Sequence, residues 1–411
     1  MSGKPTLDRA DARVRHDDSL KGAFREFTDR LRSGDLGMLP VIVGLILISV
    51  VFSTLNPVFL APNNLVNLLF DCATVGVISL GIVCVLMLGE IDLSVGSMSG
   101  LASAMIGVLW VNAGVSLPLA ILAALASGAL IGALYATLYN RLGMPSFVST
   151  LSGLLAILGL QLYILGPTGS INLPFASPLV GFGQLWILPA WLSYLLGALP
   201  AAVMVWVGLS VMKQRQAAGL SSQPLTRLML KAVALTVALE GAIFYLHLGR
   251  GVPVMFALFV LLAVVLNYGL TRTQWGRSMF AVGGNKEAAR RSGINVRRIY
   301  LSAFMLCSTL AALGGILSAS RLASSSQQAG TGDVNLNAIA AAVIGGTSLF
   351  GGRGTAWSAV LGIIVIQAIS NGLTLLNLSS SLRYMITGGV LAIAVIVDSL
   401  ARQSRVSHGR G

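Results

Sequence analysis

The chain has 411 residues, 55% hydrophobic and only 10% charged, with 27 Lys and Arg against 14 Asp and Glu and a mean hydropathy of +0.84. Roughly a quarter of the residues in a soluble domain are charged, so an ordinary water-soluble globule is excluded. The net charge of +13 lies in short clusters between apolar runs, a pattern that signals membrane topology rather than a nucleic-acid-binding surface.

Residues 1–35 form a polar segment rich in Asp and Arg with no small-residue cleavage site after it, so we expect a cytoplasmic tail leading into an uncleaved first span. A helix needs about 20 mostly apolar residues to cross the hydrocarbon layer. Runs of that kind are Leu36 to Leu55, Cys72 to Gly89, Leu93 to Asn140 (two crossings) and Leu142 to Met212 (two crossings around a turn-rich loop from Pro167 to Gly183). They continue as Leu228 to Leu248, Gly251 to Thr271, Ile299 to Ser320, Val334 to Gly352, Gly354 to Leu376 and about Leu382 to Leu400, which makes twelve. With both termini in the cytoplasm, Arg141, Lys213, Arg215, Arg227, the 272–298 cluster and the tail from Arg402 to Arg410 all fall inside. Only Arg250, Arg321 and Arg383 fall outside. The expected fold class is therefore an all-α polytopic membrane protein, since such runs cannot be barrel strands.

Cys72, Cys84 and Cys307 lie in apolar stretches and read as packing residues. Small residues such as Gly128, Gly132, Ala311, Ala312, Gly314 and Gly315 would let helix backbones approach closely. No phosphate loop or GxGxxG unit is present, and His16, His247 and His408 have no metal-ligand spacing, so neither ATP binding, a metal site nor a catalytic cluster is expected on this chain.

Three segments stand out from the apolar background. Gly89 to Ser97 places Glu90, Asp92, Ser94 and Ser97 between glycines. One reading is a cytoplasmic turn in which Asp92 or Ser94 caps the next helix. The other is a broken helix lining a pathway, with the glycine-rich Gly345 to Gly354, including Thr347 and Ser348, as its counterpart in the second half. The third segment, Gly276 to Asn295, is basic enough to attract anionic lipid. It also contains a Gly283-Gly284-Asn285 turn and two helical turns from Lys286 to Ser292, which Gly293 would cap. A short surface helix between spans is a natural docking element.

At this loop the sequence resembles a known family. Glu287, Ala288 and Ala289 with Gly293 four residues beyond look like the EAA-type coupling segment of ABC importer permeases. The string from Gly276 to Asn285 resembles the monosaccharide branch of the branched-chain amino acid and ribose permease family. Glu90 to Ser97, Met144 to Leu151 and Ala338 to Leu349 look like further elements of that branch, in family order. Gly89-Glu90-Ile91-Asp92, Gly169 to Pro174 and the stretch after Asp333 resemble its xylose-type members.

The resemblance implies the permease subunit of an ATP-driven importer of xylose or a related monosaccharide, with ATP and Mg held by a separate ATPase and no cofactor on this chain. It implies an ABC ATPase and a periplasmic sugar-binding protein as partners, a permease homodimer in the bacterial inner membrane, and a ten-span core of type II-like importers enlarged by two spans. The expected layout is a tail at 1–35, a first membrane half at 36–212, an inserted pair at 213–271, a coupling loop at 272–298, a second half at 299–400 and a basic tail at 401–411. Gly276, Arg277, Gly283, Gly284, Asn285, Glu287, Ala288, Ala289 and Gly293 would couple to the ATPase. Glu90, Asp92, Ser94, Thr347, Ser348 and Asn371 are the pathway candidates, although Asn371 could instead bond a neighbouring helix. The rival readings are an ion-coupled sugar symporter using Glu90, Asp92 or Glu240, a permease for another small polar solute, and a membrane enzyme for which no catalytic cluster is found. The inserted pair is expected at the periphery, with Glu240 away from the pathway.

Overall fold

A computed structural model describes residues 39–222, 224–379 and 381–390, together with 392 and 396. The expected tails at 1–35 and 401–411 lie outside the described residues. Nine of the described helices are long and apolar enough to cross a membrane, and shorter apolar helices accompany them.

The chain divides into two compact units. The larger contains α1 (Leu39–Leu55), α2 (Pro62–Met87), α3 (Val95–Met105), α4 (Leu117–Leu142), α5 (Ser146–Leu165) and the short α6 (Pro178–Gln184). The smaller unit spans Ile187–Val252 and is built from α7 (Ala190–Ala217) and α8 (Leu225–His247). After it, the larger unit resumes with α9 (Val254–Arg272), α10 (Gln274–Gly284), α11 (Lys286–Arg291), α12 (Val296–Leu322), α13 (Val334–Ile344) and α14 (Ala356–Leu375), and residues 381–390 are also helical. The class is all-α, with one short strand pair beside the helices. Strands β1 (Ser170–Asn172) and β2 (Ser324–Ser326) pair antiparallel with Ile171 opposite Ser325. Each is only three residues long, too short for period-2 patterning to stand out.

Helix ends follow local chemistry. Pro62 sits at the start of α2, where its missing N–H costs nothing. At the other end Gly89 takes φ +77°, its N–H donating to Leu86 O at 2.8 Å while Glu90 N–H reaches Val85 O at 3.2 Å. These two bonds satisfy carbonyls that the helix would leave bare. Beyond α3 the chain continues helically over Ile106–Asn112 with wider, i to i+5 hydrogen bonding.

In the larger unit α12 packs along α4, α2 and α3, and α14 packs along α13 and α2. The small residues singled out above lie in these contacts. A Cβ on Gly128 would stand 2.6 Å from Ser308 O, and one on Gly132 or Gly315 would overlap Phe304 O or Ser99 O. Backbone therefore meets backbone along α12, the packing that small residues allow where lipid gives no hydrophobic drive. The three cysteines are buried here as free thiols.

Two charges that hydropathy counting separates meet in this unit. Arg321 Nε lies 2.8 Å from Asp71 Oδ1, with the guanidinium 5.1 Å from the Phe70 ring. Asp71 is inside α2, one residue before the uncharged run that begins at Cys72, and Arg321 is in the last turn of α12. Mutual neutralisation is what allows both charges beside apolar spans.

The smaller unit is framed at Ile187–Val252, and α9 packs with α2 and α14 within the larger unit. Val254 N–H donates to Trp186 O at 3.0 Å, so the larger unit closes on itself where the smaller one leaves it. Within the smaller unit Glu240 faces α7, its carboxylate 3.0 Å from where a Cβ on Gly197 would lie, and Tyr194 stacks on His247.

Candidate functional site: a junction of the coupling loop and two broken segments

The loop after α9 folds as two short helices. Thr273 opens α10, its Oγ1 accepting the Gly276 N–H at 3.3 Å. Asn285 separates α10 from α11 in extended conformation and accepts the Ala288 N–H at 2.9 Å, so one residue ends one helix and starts the next. Gly293, at φ +81°, closes α11 with its N–H on Arg290 O and the Ile294 N–H on Ala289 O, both 3.1 Å. That paired arrangement requires a left-handed residue, for which glycine is the cheapest choice.

The outer face of α11 is polar and open. Glu287 and Arg290 pair at 2.6 Å with both side chains largely exposed, Ala288 is exposed, and only Ala289 turns inward, 3% exposed. Arg277 is exposed on α10. Gly276 is buried in the bend from α9, where a Cβ would overlap Leu270 O.

Three glycine-containing segments from distant parts of the sequence converge beneath this loop. A Cβ on Gly283 would overlap Met87 O and stand 2.8 Å from Gly352 N. Gly352 N–H donates to Met87 O at 2.9 Å, and a Cβ on Gly89 would lie 3.4 Å from Phe350 O. The 272–298 loop, the end of α2 and the 345–354 loop thus touch through bare backbone. Gly284 borders the same place, with open space above its Cα.

The pathway candidates divide into groups. Glu90 is half-buried and accepts hydrogen bonds from Tyr300 Oη at 3.2 Å and from Ser146 Oγ. Asp92 is fully buried, and its Oδ1 accepts from Ser94 N at 2.8 Å and Ser94 Oγ at 2.7 Å just before α3. Asp92 therefore orders the entry to α3, while Ser94, at the N-cap position, makes no side-chain cap bond. The segment is a backbone break in which Asp92 and Ser94 are buried, Glu90, Ile91 and Leu93 half-buried and Gly89 exposed. Thr150 braces it, with its Oγ1 3.2 Å from Leu93 N. Thr347 is buried with no hydrogen-bond partner for its hydroxyl, and Ser348 Oγ accepts from Phe350 N at 3.2 Å.

Asn371 lies elsewhere. It exchanges two hydrogen bonds with Asn64, at 2.8 and 3.1 Å, clamping α14 to the start of α2. Asn64 and Glu90 lie at opposite ends of α2, and its 26 residues correspond to about 39 Å of helix. Asn371 therefore does not join the other candidates, and its helix-bonding alternative is the arrangement observed. Asn371→Ala should cost about 1 kcal/mol, within the range of interhelical polar bonds in membranes. Thermal melting in detergent reads this directly, and an unshifted melting point would remove the clamp from the stabilising contacts.

Sequence reasoning missed Tyr139 and Tyr300, which stack at 4.4 Å beside Glu90, and Lys286, whose Nζ donates to Tyr139 Oη at 3.0 Å. It also missed Gln161. This fully buried residue donates from Nε2 towards Ser326 O, Gln327 O and Ala329 O at 3.0 to 3.3 Å. Interior aromatic or amide side chains in apolar helices carry no distinctive spacing. Among the described residues no group of His, Cys, Asp and Glu side chains could hold a metal ion.

Residues 64–395 match the family described as "Branched-chain amino acid transport system / permease component". The chain belongs to this permease family. It is 36% identical over 377 residues to the xylose transport system permease protein of Escherichia coli strain K12, covering 91% of this chain and 94% of that one. Its likeness to the xylose transport system permease protein of Haemophilus influenzae is 32% over 371 residues, 90% of this chain and 98% of the relative. To the ribose import permease protein of E. coli K12 it is 31% identical over 359 residues, 87% and 92% of the two chains. No solved structure matches significantly. The chain is accordingly a multi-pass transport subunit of the bacterial inner membrane and not an enzyme. The symporter and membrane-enzyme readings lose their support.

Proposed function

We propose that this permease carries xylose or a closely related monosaccharide across the membrane. The observation that carries the reading is 36% identity to a xylose permease along almost the full length of both chains. The ribose relative, at 31%, argues for the same class of solute.

In this reading α10 and α11 dock on a separate ABC ATPase, which binds the ATP and Mg, while a periplasmic sugar-binding protein delivers the solute and two permease copies flank the passage. The polar, exposed face of α11, with its capped and internally paired helix, supports docking because it presents a preformed surface. Nine of the described helices, α2–α5, α7–α9, α12 and α14, are long enough to cross, and the reading of twelve crossings with both termini inside adds the shorter α1 and α13 and the segment that begins with the helix at 381–390. The pair added to the ten-span core is α7 and α8, since the larger unit closes where they leave it. Glu90, Asp92, Ser94, Thr347 and Ser348 belong to the parts that move as the passage opens alternately to each side.

Co-purification with the ATPase encoded alongside tests the docking surface. Glu287→Lys combined with Gly293→Arg reverses the exposed charge and strains the left-handed cap. We expect the wild type to retain the ATPase and the double variant to lose it. Equal retention would remove α11 from the interface. Uptake of labelled xylose against ribose by the complete complex tests the substrate, and a preference for ribose would overturn the xylose assignment.

A further inference from the structure

Four groups from four different parts of the chain form one directed hydrogen-bond chain at this junction. The Lys286 ammonium, on coupling helix α11, donates to Tyr139 Oη at 3.0 Å. Tyr139 Oη donates to Tyr300 Oη at 3.2 Å, and Tyr300 Oη donates to Glu90 Oε1 at 3.2 Å. Each phenol accepts one bond and donates one, so the chain runs without a break from a cation to a carboxylate. Ser146, at the start of α5, donates to the other Glu90 oxygen.

Geometry reinforces the link. The Tyr139 and Tyr300 rings are nearly parallel, 11° apart with centroids at 4.4 Å, and Lys286 Nζ lies 4.7 Å and 5.2 Å from their centres. Tyr300 is 2% exposed and Lys286 is exposed, so the chain passes from the surface of the coupling helix into the interior. The two phenol contacts at 3.2 Å are long for O–H···O bonds, and stacking with the cation above the rings holds the groups together. Only Lys286 lies on the coupling helix. Tyr139 is near the end of α4, Tyr300 is in α12, and Glu90 belongs to the break between α2 and α3.

We propose that Lys286, Tyr139 and Tyr300 form a relay that transmits displacement of the coupling helix to the broken segment at Glu90. The inference rests on the docking reading of α11. Tyr139 and Tyr300 act as positioning residues: when α11 moves, Lys286 and the stacked phenols move the Glu90 carboxylate, which lies on the segment leading into α3 and also accepts from Ser146 at the start of α5. Polarisation along the chain makes the bonds interdependent, so losing one hydroxyl weakens its neighbours.

The test uses the full complex of permease, ATPase and sugar-binding protein in liposomes, measuring labelled xylose taken up per ATP hydrolysed. Tyr300→Phe and Tyr139→Phe each remove one hydroxyl of the chain and keep the stacked ring, and neither residue lies on the docking helix α11. We expect both variants to retain the ATPase and to hydrolyse ATP, with uptake per ATP falling about tenfold, equivalent to roughly 1.4 kcal/mol of lost coupling. The double variant should lose little beyond either single one, because both changes interrupt the same chain. Unchanged uptake per ATP in Tyr139→Phe would overturn the relay even if Tyr300→Phe proved unstable, and fully additive losses would overturn it as well. A wild-type permease that retains no ATPase would instead refute the docking reading beneath it.

Discussion

Gly283→Val is expected to abolish uptake by the reconstituted complex, with a loss of at least about tenfold, and to lower the melting temperature of the permease. The valine side chain would enter a space bounded by Met87 O, Gly352 N and the Gly352 N–H bond to Met87 O. Every one of those atoms is backbone, so no rotamer change relieves the overlap, and three segments would have to part. Overpacking in interiors costs about 1–3 kcal/mol even where side chains can yield. Here the separated segments are the coupling loop, the end of α2 and the 345–354 loop, so function falls further than stability alone requires. Gly284→Ala is the internal comparison for stability, because nothing lies within 4 Å of its added Cβ. Similar melting points for the Gly283→Val and Gly284→Ala variants would show that the three segments are not in contact.

Gln161→Leu should produce the largest purely structural effect. The Gln161 amide donates towards three carbonyls, of Ser326, Gln327 and Ala329, and it is fully buried. Leucine matches the volume and donates nothing. The amide has two protons to share among the three carbonyls, and Ser326 O also accepts the Ala329 N–H at 3.1 Å, so about two hydrogen bonds are lost and a destabilisation of roughly 1–3 kcal/mol follows. The 326–335 segment reaches from β2 to the start of α3, where Asn335 Oδ1 accepts the Gly96 N–H and a Cβ on Gly330 would overlap Gly96 O. Loosening it therefore loosens the start of α3. Limited proteolysis and thermal melting in detergent both report the change, and a wild-type melting curve would show that the segment is held without Gln161.

The short helix α11 was legible because its signals are local. Asn285, Ala288 and Gly293 act within a few residues of one another, and caps follow from residue type and spacing. The pathway candidates were legible as polar groups in apolar surroundings, yet the same signal included Asn371, whose partner is Asn64, 307 residues away. A polar residue in a span announces that it has a partner, and its sequence neighbourhood does not say which. The Asp71 to Arg321 pair was overlooked for a related reason: a charge at the margin of an apolar run looks like the run's boundary until its opposite charge is found.

Burial shows another limit. Helices α2 and α4, both in the larger unit, are long and apolar, yet α2 is mostly buried and α4 mostly exposed. Lipid and protein interior are equally apolar, so hydropathy separates membrane from water and does not separate core from periphery.

Run length, charge placement and capping residues were enough to establish that this chain folds in a bilayer as many helices, and that a capped surface helix stands between Asn285 and Gly293. These properties depend on residues a few positions apart and on the solvent each segment prefers. The glycine junction, the chain from Lys286 to Glu90 and the Gln161 clamp were decided only by tertiary packing. Their members come from segments 147 to 210 residues apart along most of these links, and their geometry exists only once α2, α4, α5 and α12 have packed together.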